Sequence, residues 1–255
     1  MPASSGGNKS VRAFLKMTWI EIKLFVRQPV GFFFTFAFPL IILFIFGSIF
    51  GNEPVADFGG RGTVDVSVPG YIGMIIGTLG MIGLPISLAT YREQGVLRRF
   101  SATPLRPTVV LGAQVLVNLL MMAVGVILLA VLGIAVYHLQ LPSTLFPVIV
   151  GIIIGSVSFF AVGFLLAGLV GTPRTAQAVG MAIFFPMLFL AGGALPRELF
   201  PPAVRRVGDF LPLTHVVNLI RDLWFGAGWN MVALAVLVGV FAISVVVAVR
   251  TFRWE

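Results

Sequence analysis

Cysteine is absent from the 255 residues, and charged residues make up only 10% of them. The lack of cysteine excludes a disulfide framework and a thiolate metal site, and it leaves the redox compartment open. The scarcity of charge excludes an ordinary soluble domain, because a soluble chain of this length needs far more polar surface. Since 58% of the residues are hydrophobic, the sequence predicts a protein solvated by a lipid bilayer.

Charge is also missing from the middle of every long apolar run, where no Asp, Glu, Lys, Arg or His occurs. Carriers driven by ions or protons usually need such groups as relays or counter-ions. The sequence "GGNKS" near the N-terminus lacks the spacing of a Walker motif, so no nucleotide site is expected. We therefore expect this chain to bind no cofactor or metal, and to receive the energy for any uphill work from another polypeptide.

Six apolar runs reach the roughly 20 residues that a transmembrane helix needs. We place the spans at 31–50, 68–90, 108–137, 145–170, 176–195 and 231–252. The other segments are predicted to be an interfacial helix at 11–28, a cytoplasmic coupling segment at 91–107 and an outer re-entrant helix pair at 196–228. The fold class is therefore an all-α polytopic membrane protein, with residues 1–255 forming a single transmembrane domain.

The net charge of +8 is distributed unevenly between the loops. With the N-terminus in the cytoplasm, the cytoplasmic side has twelve basic and three acidic residues, and the outer side has five basic and six acidic ones. This asymmetry predicts a multi-pass protein of the plasma or inner membrane with both termini cytoplasmic, and it does not indicate nucleic acid as a partner. The Trp and Tyr residues lie at or just outside predicted span ends, as in an aromatic belt: Trp19, Tyr71, Tyr91, Tyr137, Trp224, Trp229 and Trp254.

Residues 11–28 have the pattern of an amphipathic helix lying against membrane lipids in the cytoplasmic interface. Its cations share one stripe, at Arg12, Lys16, Lys23 and Arg27. Because these charges are spread along a helix, we do not expect a cleavable signal here. Glu21 projects into the opposite, apolar face, where a carboxylate needs a partner. Two interpretations stay open: a frayed or rotated helix with Glu21 in water, or an ion pair between Glu21 and an arginine of segment 91–107.

Spans two and three contain small and polar residues at helical spacing. The candidates for helix packing or for lining a path are Gly73, Gly77, Gly80, Gly83, Gln114 and Asn118. The glycines allow another helix to approach closely, and a path-lining face is the alternative. The two amides lie four residues apart and so on one face, where they bond neighbouring helices or line a cavity.

The segment "YREQGVLRRFSATPLRP", residues 91–107, places charge and a helical pattern between two spans. Its apolar face holds Val96, Leu97 and Phe100, and its opposite face holds Arg92, Arg98 and Arg99. Prolines after Thr103, at Pro104 and Pro107, end the pattern abruptly. One hypothesis is a short helix that a soluble partner pushes; the alternative is a solvated basic loop that only orients the protein.

The segment from 195 to 228 is too polar to span the bilayer and too apolar for an ordinary loop. Its prolines predict two short helices separated by a break. Such backbone is tolerated at membrane depth where it is buried in protein or lines a wet cavity. The second helix would carry a polar face with His215, Asn218, Arg221 and Asp222, and an apolar face with Leu219, Ile220, Leu223 and Trp224.

Three stretches resemble permease subunits of type-2 ABC transporters, in the daunorubicin-resistance-like exporter branch. They are "YREQGVLRRFSATPLRPTVVLGAQ" between spans two and three, "FFPMLFLAGGALPRELFPP" at the end of span five and "FLPLTHVVNLIRDLWFG" before span six. The six-span layout and the interfacial helix fit as well, so the resemblance covers nearly the whole chain. Each stretch alone is loosely defined, but the three in this order are fairly specific.

The resemblance implies a half-transporter that pairs with a second permease, identical or different, above two cytoplasmic ATP-binding subunits that hold ATP and Mg. The positions that match the coupling motif are Glu93, Gly95, Leu97, Thr103, Pro104 and Leu105, and we add Arg92, Arg98, Arg99 and Phe100 as coupling candidates. Arg99 departs from the pattern, since relatives often carry an acid or a neutral residue there. The outer motif falls on Pro212, Leu213, Thr214, His215 and Arg221, and with Asn218 and Asp222 these form a candidate outer gate.

The leading hypothesis is a non-catalytic permease that exports a lipophilic drug, lipid or similar molecule. Export of a polysaccharide or glycolipid is a variation within the same superfamily. A second hypothesis is an intramembrane enzyme with His215 as base and Asp209 or Asp222 orienting it, although a nucleophile is lacking nearby. A passive scaffold or channel is a third.

Overall fold

The structure, a computed structural model, describes residues 5–96 and 107–251 of the chain. These residues are nearly all helical and contain no strand, apart from an isolated antiparallel bridge between Val55 and Arg61. Six helical segments within them are long and apolar enough to cross a membrane. The prediction of an all-α protein with six spans is therefore confirmed.

Spans one and two are each made of two α-helices, whereas spans three to six are single α-helices. They are α1 Ser5–Val26, α2 Pro29–Phe32, α3 Phe38–Phe50, α4 Thr63–Thr78, α5 Leu84–Glu93, α6 Pro107–Tyr137, α7 Leu145–Leu169, α8 Pro173–Leu190, α9 Pro202–Gly208, α10 Pro212–Trp224 and α11 Met231–Thr251. Span one is α2 with α3, span two is α4 with α5, and spans three to six are α6, α7, α8 and α11. We call the end of the bundle that carries α1 the inner end, and the opposite end the outer end.

Spans one and two each contain a π-helical turn, at Phe33–Ala37 and Leu79–Gly83. A proline follows each turn, Pro39 in span one and Pro85 in span two. Proline has no N–H and its ring clashes with the carbonyl four residues earlier, so a regular α-helix cannot continue through it. A wider turn before each proline gives that carbonyl room and keeps the span continuous.

Span two lies at the centre of the bundle. Its most apolar window is 89% buried, whereas the corresponding windows of the other spans are 22–56% buried. It packs against spans one, three, four and five and against α10. Helices inside a bilayer gain little from hydrophobic association and depend on close packing. Span two is therefore the element around which the other described helices are arranged.

The glycines of span two make this central position possible. A Cβ atom at Gly73 would overlap the Val217 side chain of α10, and one at Gly77 would overlap Phe184 of span five. One at Gly80 would lie 2.6 Å from the Phe159 carbonyl oxygen of span four. Gly83 differs, because the nearest atom to its Cβ position, at 3.8 Å, belongs to its own helix. Packing is thus the role of the first three glycines.

Replacing Gly80 with alanine is expected to destabilise the folded protein, because the added methyl group meets rigid backbone rather than a movable side chain. Overpacking of this kind costs about 1–3 kcal/mol. Gly83→Ala is the matched control in the same turn, and its Cβ has room. Thermal unfolding in detergent should show a lower melting temperature for Gly80→Ala than for Gly83→Ala. Equal melting temperatures would mean that the close approach of spans two and four contributes nothing.

Candidate functional site

A buried carboxyl group joins three helices at the inner end. Glu21 on α1 is 4% exposed and accepts hydrogen bonds from the Tyr91 hydroxyl at 2.5 Å and from the Gln114 amide nitrogen at 2.7 Å. Tyr91 lies near the end of span two, and Gln114 lies near the start of span three. We call these three residues the inner cluster. It ties α1 to both of the spans that flank segment 91–107.

The helical period of α1 places Glu21 in this position. Thr18, Glu21 and Phe25 are buried on one face, while Lys16 and Lys23 are exposed. The buried face packs along span three. Glu21 therefore points away from the cations, as predicted, and into the protein.

Of the two interpretations of Glu21, exposure to water is wrong, because the side chain is buried. Its partners among the described residues are a hydroxyl and an amide, neutral donors that can satisfy a buried carboxyl group. Arg92, the arginine of segment 91–107 that the structure describes, donates to the Val170 carbonyl oxygen at 2.8 Å. Arg98, Arg99 and Arg106 lie outside the described residues, so an ion pair with one of them stays a prediction.

Burial raises the pKa of Glu21 from 4.5 to about 7, because the charged form loses its hydration. The hydrogen bonds from Tyr91 and Gln114 oppose this shift, since they stabilise the carboxylate. The inner cluster therefore holds a group that gains or loses its proton near neutral pH.

Two further hydrogen bonds and a glycine turn define the inner end of span two. The Gln28 amide, at the junction of α1 and α2, donates to the Ser87 hydroxyl at 3.2 Å. The bond from Arg92 reaches the residue that follows span four. Beyond Glu93, which is exposed, Gly95 has a φ of +66°, a left-handed conformation that favours glycine at a helix end. The chain then leaves span two toward the centre of the predicted coupling segment.

The remaining coupling positions lie outside the described residues: Leu97, Arg98, Arg99, Phe100, Thr103, Pro104 and Leu105. Of the interfacial cations, Lys16, Lys23 and Arg27 are exposed on or just after α1, and the side chain of Arg12 lies outside the described part. The two polar residues of span three differ in their contacts. Gln114 bonds a neighbouring helix, whereas the Asn118 amide donates to the Gln114 carbonyl oxygen of its own helix at 2.8 Å.

The outer candidates lie on α10, which packs against spans two, four and six. Leu219, Ile220, Leu223 and Trp224 are buried, whereas His215, Asn218, Arg221 and Asp222 are only partly buried. The helix begins at Pro212, whose fixed φ and missing N–H suit the first helical position. The polar side of α10 is thus the side that the bundle leaves accessible.

Two of the predicted gate residues connect α10 to α9. The Thr214 hydroxyl is fully buried and donates to the Gly208 carbonyl oxygen at 2.7 Å. A His215 ring nitrogen lies 3.0 Å from the Asp209 carbonyl oxygen. These bonds fix the angle between the two helices, so α9 and the start of α10 are held as one unit.

The catalytic arrangement around His215 is not formed. The Asp209 carboxylate pairs with Arg197 at 2.6 Å, and it is the backbone of Asp209 that contacts His215. The Asp222 carboxylate accepts from the Asn230 amide at 2.7 Å, and Asn230 in turn caps span six. Both acids therefore serve helix connections, and the enzyme hypothesis loses the groups that would orient its base.

An apolar cavity of about 390 Å³ lies between spans three, four and six. Its lining includes Leu111 and Val115 of span three, Phe160 and Phe164 of span four, and Phe241 of span six. Such a cavity suits a hydrocarbon or aromatic group rather than a charged one.

Sequence reasoning missed several residues of the inner end. Tyr91 was assigned to an aromatic belt, and Gln28 and Ser87 were not singled out. Tyr91 and the glutamate of α1 are separated by 70 positions, so no local pattern links them. The sequence feature that points to this contact is Glu21, an acid on an apolar helix face, which indicates that a partner exists but does not identify it.

The amino-acid sequence of the chain is similar to those of several transport permeases. A family model described as "ABC-2 type transporter" matches residues 12–225. The chain is 23% identical over 253 residues to the daunorubicin resistance ABC transporter permease protein DrrB1 of Streptomyces coeruleorubidus, covering 96% of this chain and 87% of that protein. It is 27% identical over 202 residues to the putative transport permease ycf38 of Porphyra purpurea, covering 75% of this chain and 67% of that protein. A probable multidrug ABC transporter permease, YbhR of Escherichia coli, is 25% identical over 159 residues, covering 62% of this chain and 43% of that protein.

The inner cluster generates a prediction about pH. A carboxyl group with a raised pKa keeps its proton in the folded protein at pH values where the unfolded chain has released it. The contribution of Glu21 to stability is therefore fully present below about pH 4.5 and is lost as the pH rises toward about 7, by on the order of 1 kcal/mol per pH unit. Glu21→Gln should remove this dependence.

The measurement is thermal unfolding of the purified protein in detergent between about pH 5 and pH 8. Glu93→Gln is the matched control, since Glu93 is exposed at the end of α5. The melting temperature of the wild type and of this control should fall across the range, while that of Glu21→Gln should change less. An identical pH profile in all three proteins would show that Glu21 does not titrate in this range.

Proposed function

The chain belongs to the ABC-2 type transporter family, and from this premise we propose that it is the membrane-spanning permease subunit of an ATP-driven exporter. In this proposal ATP and Mg are bound by separate cytoplasmic subunits, and a second permease completes the transport path. The chain itself performs no catalytic step. The observation that carries the proposal is the inner cluster, which fastens α1 to both spans next to segment 91–107.

A soluble partner that pushes on segment 91–107 would act on several helices together. Tyr91 and Gln114 lie on the two sides of that segment, and both bond the same carboxyl group on α1. Arg92 adds a bond to the end of span four. Because these bonds connect the inner ends of spans two, three and four, the push would displace a group of helices rather than a single loop.

Span two provides the mechanical connection to the outer end. Its inner half continues into segment 91–107, and its outer half packs against α10 through Gly73 and Val217. A buried helix is a stiff element, so its displacement also displaces the helices that pack against it. We propose that this connection allows the inner end to move α10, whose polar side forms the wet face of an outer gate.

A lipophilic cargo suits the described residues best. The cavity between spans three, four and six is apolar, and the middles of the spans carry no charged residue. Two of the similar proteins are named for daunorubicin resistance and for multidrug transport, and we extend that class of cargo to this chain. The proposed location is the plasma or inner membrane, with both termini in the cytoplasm, in agreement with the positive-inside rule.

The coupling role is tested by purifying the tagged chain from its native membrane in mild detergent. The wild type should bring with it a nucleotide-binding subunit and ATP hydrolysis. A Glu93→Arg, Leu97→Asp double variant should lose both, because it changes the charge and the apolar face of the segment. Arg250→Glu is the control, since this exposed arginine at the end of span six also reverses a charge but lies outside the segment. If no ATPase accompanies the wild type in several detergents, segment 91–107 is only a basic loop.

The gate role is tested by removing the polar side of α10. Arg221→Ala and Asp222→Ala should each lower ATP-driven transport about tenfold or more, while the purified complex keeps its composition. Arg206→Ala is the matched control on α9, where that arginine is exposed. Uptake of daunorubicin and of a fluorescent phospholipid into inverted membrane vesicles measures the rate. Normal uptake of a transported probe in both α10 variants would remove the gate role from this helix.

A further inference from the structure

The backbone of Gln140 connects span two to α10 at the outer end through two hydrogen bonds. Its N–H donates to the Asp65 carboxylate at 2.9 Å. Its carbonyl oxygen accepts from the Trp224 indole N–H at 3.2 Å. Asp65 is in the first turn of α4, Gln140 is in the loop after span three, and Trp224 is the last residue of α10. We call Asp65, the backbone of Gln140 and Trp224 the outer clasp.

Asp65 is held firmly by its neighbours. It is 2% exposed, and its backbone N–H donates to the Asn52 side-chain oxygen at 3.1 Å. The Asn52 amide in turn donates to the Tyr137 carbonyl oxygen at 3.0 Å. An acid in the first turn of a helix is also favoured by the helix dipole. The outer ends of spans one, two and three therefore form a fixed base for the clasp.

The left-handed backbone at the end of span three brings Gln140 to the outer ends of spans one and two. His138 has a φ of +52°, the one positive value among the described non-glycine residues. The N–H groups of His138 and Leu139 donate to the carbonyl oxygens of Ile134 and Gly133, each at 3.2 Å. The bond from His138 is that of an αL motif, in which a left-handed residue just after the helix ends it and turns the chain. The loop is thereby placed between Asp65 and Trp224.

A second contact reaches the same end of α10. The Arg61 guanidinium lies 4.1 Å from the centre of the Phe225 ring, a cation–π arrangement. Arg61 belongs to the loop between spans one and two, which is closed by the bridge to Val55. The C-terminal end of α10 is thus fastened to the base at Gln140 and at Arg61, while its N-terminal end is bonded to α9.

The two backbone bonds of Gln140 differ in their surroundings. The bond to Asp65 satisfies a buried carboxylate, which has a high cost if left without a partner. The bond from Trp224 joins two neutral groups, and Gln140 is exposed, so water can replace the indole N–H at its carbonyl oxygen when this bond breaks. The second bond can therefore open while the first stays closed, which is the property required of a reversible contact.

We propose that Asp65 is the positioning residue of this clasp: it holds the backbone of Gln140 so that the Gln140 carbonyl retains Trp224, and release of Trp224 accompanies opening of the outer end during transport. This inference rests on the proposed function in treating α10 as the moving gate. It assigns to the loop after span three a role that its sequence, "HLQLPST", does not suggest.

The test uses the absence of cysteine from the chain, which makes any introduced cysteine unique. Leu223→Cys places a thiol on the buried face of α10, next to Trp224, where the leucine is 3% exposed. Its rate of reaction with a membrane-impermeant maleimide, applied from the outer side of intact cells, reports how often that end of α10 detaches. Trp224→Phe keeps the ring and removes only the N–H donor.

In this background Trp224→Phe and Asp65→Ala should each raise the labelling rate about two- to tenfold, as expected for the loss of one hydrogen bond. Asp65→Asn retains an oxygen that can accept from Gln140, so its rate should stay near that of the parent. Trp229→Phe is the matched control, since Trp229 is exposed and outside the clasp. An unchanged rate in Trp224→Phe overturns the proposal even if Asp65→Ala fails to fold.

A second measurement separates positioning from plain stability. Gln140→Cys with Trp224→Cys, joined by a reducible bifunctional maleimide, replaces the clasp with a covalent link. ATP-driven uptake of daunorubicin or the fluorescent phospholipid should stop on cross-linking and return on reduction, with ATP hydrolysis still measurable. Uptake that continues in the cross-linked protein overturns the clasp. Raised labelling in Trp224→Phe, in membranes where no ATPase accompanies the chain, supports the clasp and rejects the proposed function instead.

Discussion

Other helices enclose span two on every side, and the space that this enclosure requires governs how the remaining described helices pack. Pro85 prevents a regular helix from continuing and cannot donate to the Met81 carbonyl, and the π-helical turn accommodates it. The Met81 and Gly80 carbonyl oxygens then lie where a Cβ atom on Gly180 or Gly163 would overlap them. Spans four and five can approach this turn only because glycine faces it. A break in one helix is thus matched by missing side chains on its neighbours.

Both ends of this central span carry polar networks. At the inner end Tyr91 and Arg92 bond α1 and the end of span four, and at the outer end Asp65 bonds the loop after span three. Between them the span is packed on all sides by apolar groups. Such an element transmits displacement along its length, because its middle cannot yield sideways without opening cavities. The polar ends decide which helices receive that displacement.

The hydrogen bonds at the two ends of span two join a buried acid to uncharged donors. Among the described residues, the donors to Glu21 are a hydroxyl and an amide, and the donor to the Asp65 carboxylate is a backbone N–H, so the donors to both buried acids are neutral. Neutral contacts of this kind cost less to separate than a buried ion pair, whose members would each be left as an uncompensated charge. A transporter that must rearrange at every cycle benefits from contacts that are specific in geometry and modest in energy. The ion pair recorded among the described residues, between Arg197 and Asp209, lies within the outer segment that holds α9 to its flanking chain.

Residue type and local period are sufficient to predict the membrane environment, the number of spans and the faces of α1 and α10. Glu21 on α1 and Leu219 on α10 both lie buried on the apolar faces to which the sequence assigns them. Their partners and that of Asp65 follow from the packing of the helices, which brings Tyr91 and Gln114 to Glu21 and Gln140 to Asp65. Periodicity states which way a side chain points, but a partner 70 or more positions away is set by how whole helices pack.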